Sequence, residues 1–292
     1  ERAGLDFAAE KEKAKSADFR PVPLGVGVRA NIRNELRTVE SRNVVARLEG
    51  TEAADEVILY MAHWDHLGTQ EGGEGDGIFN GAYDNATGTA GLLEIGRAFA
   101  SLEPRPRRSV LFVAVTAEEQ GLLGSRFYAR SPLYPAAKTA AAINMDGLNV
   151  WGRTRDVTVV GLGQSGLDEL ARRFASEQNR VLVPDAEPEK GYYYRSDHFE
   201  LAKIGVPSFY ADSGIDFLDK PEGWGRKERE RYVAEDYHKP SDEVKEWWNL
   251  SGMVEDLELY LAMGRHLATT DEWPEWSETS EFRAVREAST TE

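Results

Sequence analysis

Cysteine is absent from the 292 residues. That excludes disulfides and thiolate metal sites while fixing no compartment. Any metal must then be held by His and carboxylates, a donor set better suited to a hydrolytic zinc site than to a zinc finger. Basic residues are the scarcer sign: 35 Lys and Arg face 51 Asp and Glu, for a net charge of -16. This argues against nucleic acid or an anionic membrane as a partner, since both need a basic face. No apolar stretch approaches the length of a membrane span, and no secretory hydrophobic region is visible. GxSxG, HExxH and Walker signatures are missing too, which removes the usual support for serine hydrolase, zincin and P-loop chemistry. Starting at Glu1 rather than Met, the chain is expected to be a mature or trimmed piece of a longer product.

What is present is a regular alternation of strand-like and helix-like segments. A hydrophobic content of 41% supports a real core. Apolar runs bounded by Gly, Pro or polar residues predict strands over 57–62, 109–116, 140–145, 156–160 and 204–210. Val26, Val28, Ala30 and Ile32 alternate with polar residues or glycine as in a half-exposed strand, and 39–48 reads as another. Helices are expected over 87–100, near 121–130, over 167–178 and over about 250–270. Residues 212–236 read as irregular, overhanging the site and shaping specificity. The fold class is α/β, a three-layer α/β/α sandwich with a mixed central sheet. Expected boundaries are an N-terminal remnant over 1–19, one domain over 20–272 and a loose tail over 273–292.

Five metal-ligand side chains stand on separate segments. His63 follows the run Val57 to Ala62, Glu118-Glu119 follow Val110 to Thr116, and Asp146 follows Ala140 to Met145. Asp84 sits between a Gly-rich loop and a helix, and His238 follows a polar loop. Ligands at the carboxyl ends of parallel strands converge in the crevice where open α/β sheets bind substrates. Asp65 lies on the same strand face as His63 and is placed to accept its second ring N–H, the usual partner of a metal-bound His. Taken singly, His63-Trp64-Asp65 reads as a polar strand end, and Asp84 as an ordinary helix cap. Glu118-Glu119 is harder to make structural. Two adjacent acids after a buried strand repel and pay desolvation without a cation; one as ligand and one as general base satisfies both.

The motifs HxD at 63–65, YDNATGTAG at 83–91, AEEQGLLGS at 117–125, NMDG at 144–147, RSDH at 195–198 and YHKPSD at 237–242 complete the pattern. In this order, over roughly 40–270, the chain resembles the co-catalytic zinc aminopeptidase family. That family includes secreted bacterial leucyl aminopeptidases and has glutamate carboxypeptidase and the transferrin receptor as relatives. The resemblance implies two zinc ions per chain. Asp84 would bridge them, His63 and Asp146 completing one site and Glu119 and His238 the other. It implies Glu118 as general base, Asp65 as the orienting partner of His63, and a cis peptide at Asp84–Asn85. Tyr237 would face the tetrahedral intermediate, with Tyr193 and Tyr194 as competitors. Arg195 and His198, in the pocket-lining segment, join Tyr193 as candidate substrate contacts; Arg195 either meets a substrate carboxylate or pairs with Asp197. A peptide substrate and a secreted or periplasmic location follow from the same likeness. The protease-associated domain that many secreted relatives carry is not visible, although residues 1–24 resemble the stretch that follows it.

Other signals weigh less. Gly161 to Gly166 matches GxGxxG, but a tight strand-to-helix turn needs glycines for its own reasons. His66 reads as a supporting or structural residue, His266 as inert, and Glu71, Glu74 and Asp76 as a solvated loop rather than a calcium site. The rival functions are a carboxypeptidase or dipeptidase on the same scaffold, a glutaminyl cyclase with one zinc, and a receptor-like relative without metals.

Overall fold

Continuous apolar runs become the central strands. The computed structural model describes residues 4–36, 38–70, 72 and 75–291, which places Glu71 and Glu74 outside the described residues. In chain order the elements are α1 (Phe7–Lys13), β1 (Val44–Leu48), β2 (Ala53–His63), β3 (Gly68–Thr69), β4 (Ile78–Phe79), α2 (Thr87–Ala100), β5 (Arg108–Val115), α3 (Leu123–Arg130) and β6 (Thr139–Asn144). There follow β7 (Asp156–Val159), α4 (Leu167–Glu177), β8 (Val181–Pro184), α5 (His198–Ala202), β9 (Ser208–Asp212), α6 (Trp224–Glu235), α7 (Ser251–Thr269) and α8 (Arg283–Thr291). A seven-stranded sheet runs β1-β5-β2-β6-β9-β7-β8. β5, β2, β6 and β9 are mutually parallel, while β1 and the β7/β8 pair run against them. The sheet is mixed, as the sequence predicts.

Each central strand is buried on both faces, and the period of two decides what it meets. From β2, Ile58 and Tyr60 join the core formed with Leu92, Ile95 and Phe99 of α2 and Tyr260 and Met263 of α7. Val57, Leu59 and Met61 enter the opposite layer with Tyr128 of α3 and Leu201 of α5. Helices on both faces make three layers. Full burial of such a side chain contributes about 1.5–3 kcal/mol, which explains why uninterrupted apolar runs could be read as strands.

One close approach fixes how α7 meets the sheet. The Tyr60 hydroxyl donates to the Tyr260 carbonyl at 2.7 Å, and a Cβ at Gly264 would stand 1.7 Å from that hydroxyl. Tyr60 cannot withdraw, because its ring lies between Phe99 and Phe112, 5.8 and 5.9 Å away by centroids. Gly264→Ala is therefore expected to destabilise the protein. Overpacking costs about 1–3 kcal/mol, which outweighs the roughly 1 kcal/mol that alanine gains over glycine in a helix. Urea unfolding of the variant checks this; a midpoint equal to or above wild type would show that the contact is soft.

Several expectations differ from what is observed. The chain divides at Glu40/Ser41 into two units, not at 19/20. In the first unit, Asp6 caps α1 by accepting from the Ala8 and Ala9 amides. The expected strand at 26–32 is irregular, with Val28 and Ile32 exposed; alternation suits a strand only when a partner completes its hydrogen bonds. In the second unit, 212–236 contains α6. The tail from 273 is packed rather than loose: Trp276 donates from its indole to the Gly205 carbonyl at 2.9 Å, and Phe282 is buried beside it.

Candidate active site

The carboxyl ends of β2, β5 and β6 lie side by side because these strands are parallel neighbours. Chain order places β5 on one side of β2 and β6 on the other, so β2 ends at a topological switch point, where such sheets leave a crevice. His63 ends β2 and is buried. Its Nδ1 lies 3.0 Å from the backbone carbonyl of Asp65, an acceptor only, so Nδ1 carries a proton and Nε2 is the nitrogen left to face the carboxylates. Nε2 faces Asp84 Oδ1 at 3.1 Å and Asp146 Oδ1 at 3.4 Å.

Asp65 corrects the sequence-based expectation. Its carbonyl, not its carboxylate, holds His63. The carboxylate Oδ2 instead accepts from the Thr116 hydroxyl at 2.9 Å and the Ala117 amide at 2.6 Å. It thereby pins the end of β5, where Ala117 adopts a positive φ of 54° and throws Glu118 and Glu119 into the crevice.

Asp84 lies in a short helical turn over Ala82–Ala86, and its peptide to Asn85 is cis, as the family likeness implies. The backbone amides of Tyr83 and Asp84 donate to the Asp242 carboxylate at 3.0 and 3.1 Å. Asn85 takes the capping role that Asp84 could have filled, its Oδ1 accepting from the Gly88 and Gly147 amides. The Asp84 carboxylate is thus left to face both histidines, with Oδ2 3.4 Å from His238 Nε2. Glu119 Oε2 approaches the same nitrogen at 3.0 Å. His238 holds a φ of 58° and stacks on Tyr237 at 3.7 Å between ring centroids.

These distances test whether the residues suit zinc. With bonds of about 2.0–2.2 Å, two ligands on one tetrahedral zinc stand roughly 3.3–3.6 Å apart. The observed 3.1 and 3.4 Å around His63, and 3.0 and 3.4 Å around His238, lie at or a few tenths below that spacing. The donor set is nitrogen and carboxylate oxygen, as zinc accepts. All five candidate ligands from the sequence are therefore brought together, in two groups sharing Asp84.

Charge follows the geometry. Burial works against the charged form of His63, yet the Asp146 and Asp84 carboxylates raise its pKa well above the usual value. Contacts with Asp84 and Glu119 raise His238 to about 9. Glu118 behaves oppositely. Its side chain enters no hydrogen bond or ion pair among the described residues, and burial, followed by Asp146, pushes its carboxyl up to about 10. It lines the cleft beside Asp84 and Asp146.

Two residues that the sequence did not single out support the ligands. Ser196 donates to Asp146 Oδ2 at 2.5 Å, and Asn144 donates to the Ser196 hydroxyl oxygen at 2.8 Å. Only the fold brings the RSDH segment against NMDG.

The cleft has a volume of about 220 Å³. Aromatic residues line it, among them Tyr83, Trp151, Tyr210, Phe217 and Tyr232, and residues 215–233 contribute to the lining. Tyr237 and Arg195 line it as well. Arg195 forms no ion pair with Asp197, which accepts instead from the Ser125 hydroxyl at 2.5 Å; its guanidinium lies 5.5 Å from the centroid of the Tyr192 ring. Two candidate substrate contacts are not in the cleft. Tyr193 packs against His198 and Phe282, and His198 is fully buried behind Tyr210, where burial lowers its pKa to about 3. Tyr192, not Tyr193, faces the cleft. Tyr194 donates to Glu281. The GxGxxG run is a turn from β7 to α4, with Gly161 and Gly163 at φ of 84° and 100°.

The sequence profile of peptidase family M28 matches residues 43–262, well over half of the chain. The chain belongs to peptidase family M28. The family so described is one of peptidases. Aminopeptidase NAALADL1 of Mus musculus is 34% identical over 129 residues, covering 42% of the M28 chain and 16% of that protein. Glutamate carboxypeptidase 2 homolog of Caenorhabditis elegans is 33% identical over 121 residues, covering 40% and 14%. Among solved structures, BSAP, a zinc aminopeptidase from Bacillus subtilis, superposes with a TM-score of 0.58 at 21% identity, over 82% of the M28 chain and 52% of that chain. The M28 chain thus spans about half the length of this solved structure and less than a fifth of these two curated relatives.

Proposed function

We propose that this M28 chain is an aminopeptidase that removes the first residue of a peptide, using two zinc ions and Glu118 as general base. The observation that carries the reading is the position of Glu118. It is a buried carboxyl in the cleft, unpaired among the described residues, near side chains whose mutual spacing suits two cations. A storage or structural metal site has no use for that fourth acid.

His63, Asp84 and Asp146 would hold one ion, and Asp84, Glu119 and His238 the other. Bound there, such ions would supply Lewis acidity, favouring attack on the scissile carbonyl and lowering the pKa of a water toward about 7. Glu118, ionised once two cations offset its burial and the neighbouring Asp146 charge, would take a proton from the attacking water and hand it to the leaving amine nitrogen, as proton balance requires. Tyr237, whose ring packs on His238 and lines the cleft, would donate its hydroxyl to the developing oxyanion. The aromatic lining offers an apolar surface to the side chain of the residue being removed.

A second reading has one observation in its favour. Arg195 stands on the cleft wall with no ion-pair partner among the described residues, which suits a substrate carboxylate, and one relative is named a glutamate carboxypeptidase homolog. A panel of peptides free or acetylated at the N-terminus, and free or amidated at the C-terminus, separates the two. An aminopeptidase loses turnover on acetylation and tolerates amidation. Cleavage of acetylated peptides at the rate of free ones, with loss on amidation, would establish the carboxypeptidase instead.

A further inference from the structure

A sixth ligand-type side chain sits at this centre. His66, three residues beyond His63, is nearly fully buried, with Nδ1 2.7 Å from Glu119 Oε1. Its ring meets that of His238 edge-on at 5.7 Å. His66, Asp84 and Glu119 offer ligand atoms within 4.8 Å of one another. The seat of the ring is built by a glycine: a Cβ on Gly81 would lie 2.8 Å from His66 Cγ.

Two roles fit such a histidine, and distance separates them. Ligands sharing one tetrahedral zinc stand roughly 3.3–3.6 Å apart. The 2.7 Å between His66 and Glu119 is well inside that and within the range of an ion-pair contact between nitrogen and carboxylate. A bare ring nitrogen and a carboxylate oxygen would repel at this range, so Nδ1 carries the hydrogen. The contact is short but out of line, and neither atom has a completed hydrogen bond among the described residues. The other oxygen of Glu119 is the one that faces His238.

We propose that His66 is a positioning residue for Glu119: its Nδ1–H engages Oε1 and so keeps Oε2 directed at the metal position shared with His238. The inference rests on the two-metal reading above. It goes beyond that reading by giving the second site a support of its own, as Ser196 supports Asp146 in the first. Removing such an outer partner of a ligating carboxylate typically costs about 10–100-fold in metal affinity.

The test is zinc titration of the metal-free chain by calorimetry, with the melting temperature of the same metal-free samples as a second readout. Wild type should show two binding steps. His66→Ala should weaken one step about 10–100-fold and leave the other step and the metal-free melting temperature unchanged. His66→Asn, whose amide can replace the Nδ1–H, should recover most of the loss. His238→Ala should lose the affected step altogether. Wild-type affinity at both steps in His66→Ala overturns the proposal. So does equal weakening of both steps with a lowered melting temperature, which would mark a packing residue. Loss of a step in His66→Ala that survives in His238→Ala would make His66 the ligand and likewise overturn it. A wild type that binds no zinc would overturn the two-metal reading itself, a result distinct from all of these.

Discussion

Glu118→Gln is expected to lower turnover by about 10²–10⁴-fold, the usual contribution of a positioned general base, while the protein keeps its full zinc content. The substitution preserves shape and removes only the capacity to take a proton. Glu118 makes no contact that a glutamine would break, since no hydrogen bond or ion pair reaches its side chain among the described residues. Nor should the metal-free fold suffer. Burial and the neighbouring Asp146 already hold the carboxyl in its neutral form, with a pKa pushed up to about 10, so a neutral amide replaces a neutral acid. Steady-state kinetics and metal analysis on one preparation make the check. Activity within tenfold of wild type would remove Glu118 from the reaction. Lost activity accompanied by lost zinc would make it a ligand instead of a base.

The sequence exposes this much because of where the site lies. The parallel strands β2, β5 and β6 are buried on both faces, so they appear as unbroken apolar runs, and the first polar residue after each run belongs to the crevice. His63, Glu118, Glu119 and Asp146 could be read that way. What could not be read is which atom of a residue does the work. Asp65 stands at the right spacing to hold His63, yet its carbonyl makes the contact while its carboxylate secures Thr116 and Ala117. Nothing in residue type or spacing distinguishes those oxygens.

The tyrosine run failed for a similar reason. Tyr192–Tyr194 form one turn of 3₁₀-helix, where successive side chains diverge by about a third of a turn. Tyr192 therefore faces the cleft, Tyr193 the core and Tyr194 the tail, and the sequence alone does not fix that phase. The tail itself was missed because Trp276 and Phe282 are isolated in a polar stretch. Their burial comes from docking against distant residues such as Gly205, which no local period reports.

Asp84→Ala should be the most damaging single change to metal content. Among the described residues Asp84 is the one carboxylate whose two oxygens face both histidines, at 3.1 Å from His63 and 3.4 Å from His238. The backbone that presents it is held independently: Asp242 accepts from the amides of Tyr83 and Asp84, and Asn85 binds the Met145 carbonyl and the Gly147 amide. Truncating the side chain should leave that frame folded while removing a ligand from both positions at once. Zinc content is expected to fall below one per chain. His238→Ala, which touches only one position, should retain about one. Activity should fall on the order of 10³-fold or more, since metal polarisation of the substrate supplies several kcal/mol of transition-state stabilisation and each 1.36 kcal/mol is tenfold in rate. Equal zinc content in Asp84→Ala and His238→Ala would show that Asp84 serves one ion only, and the shared-ligand geometry would have to be abandoned.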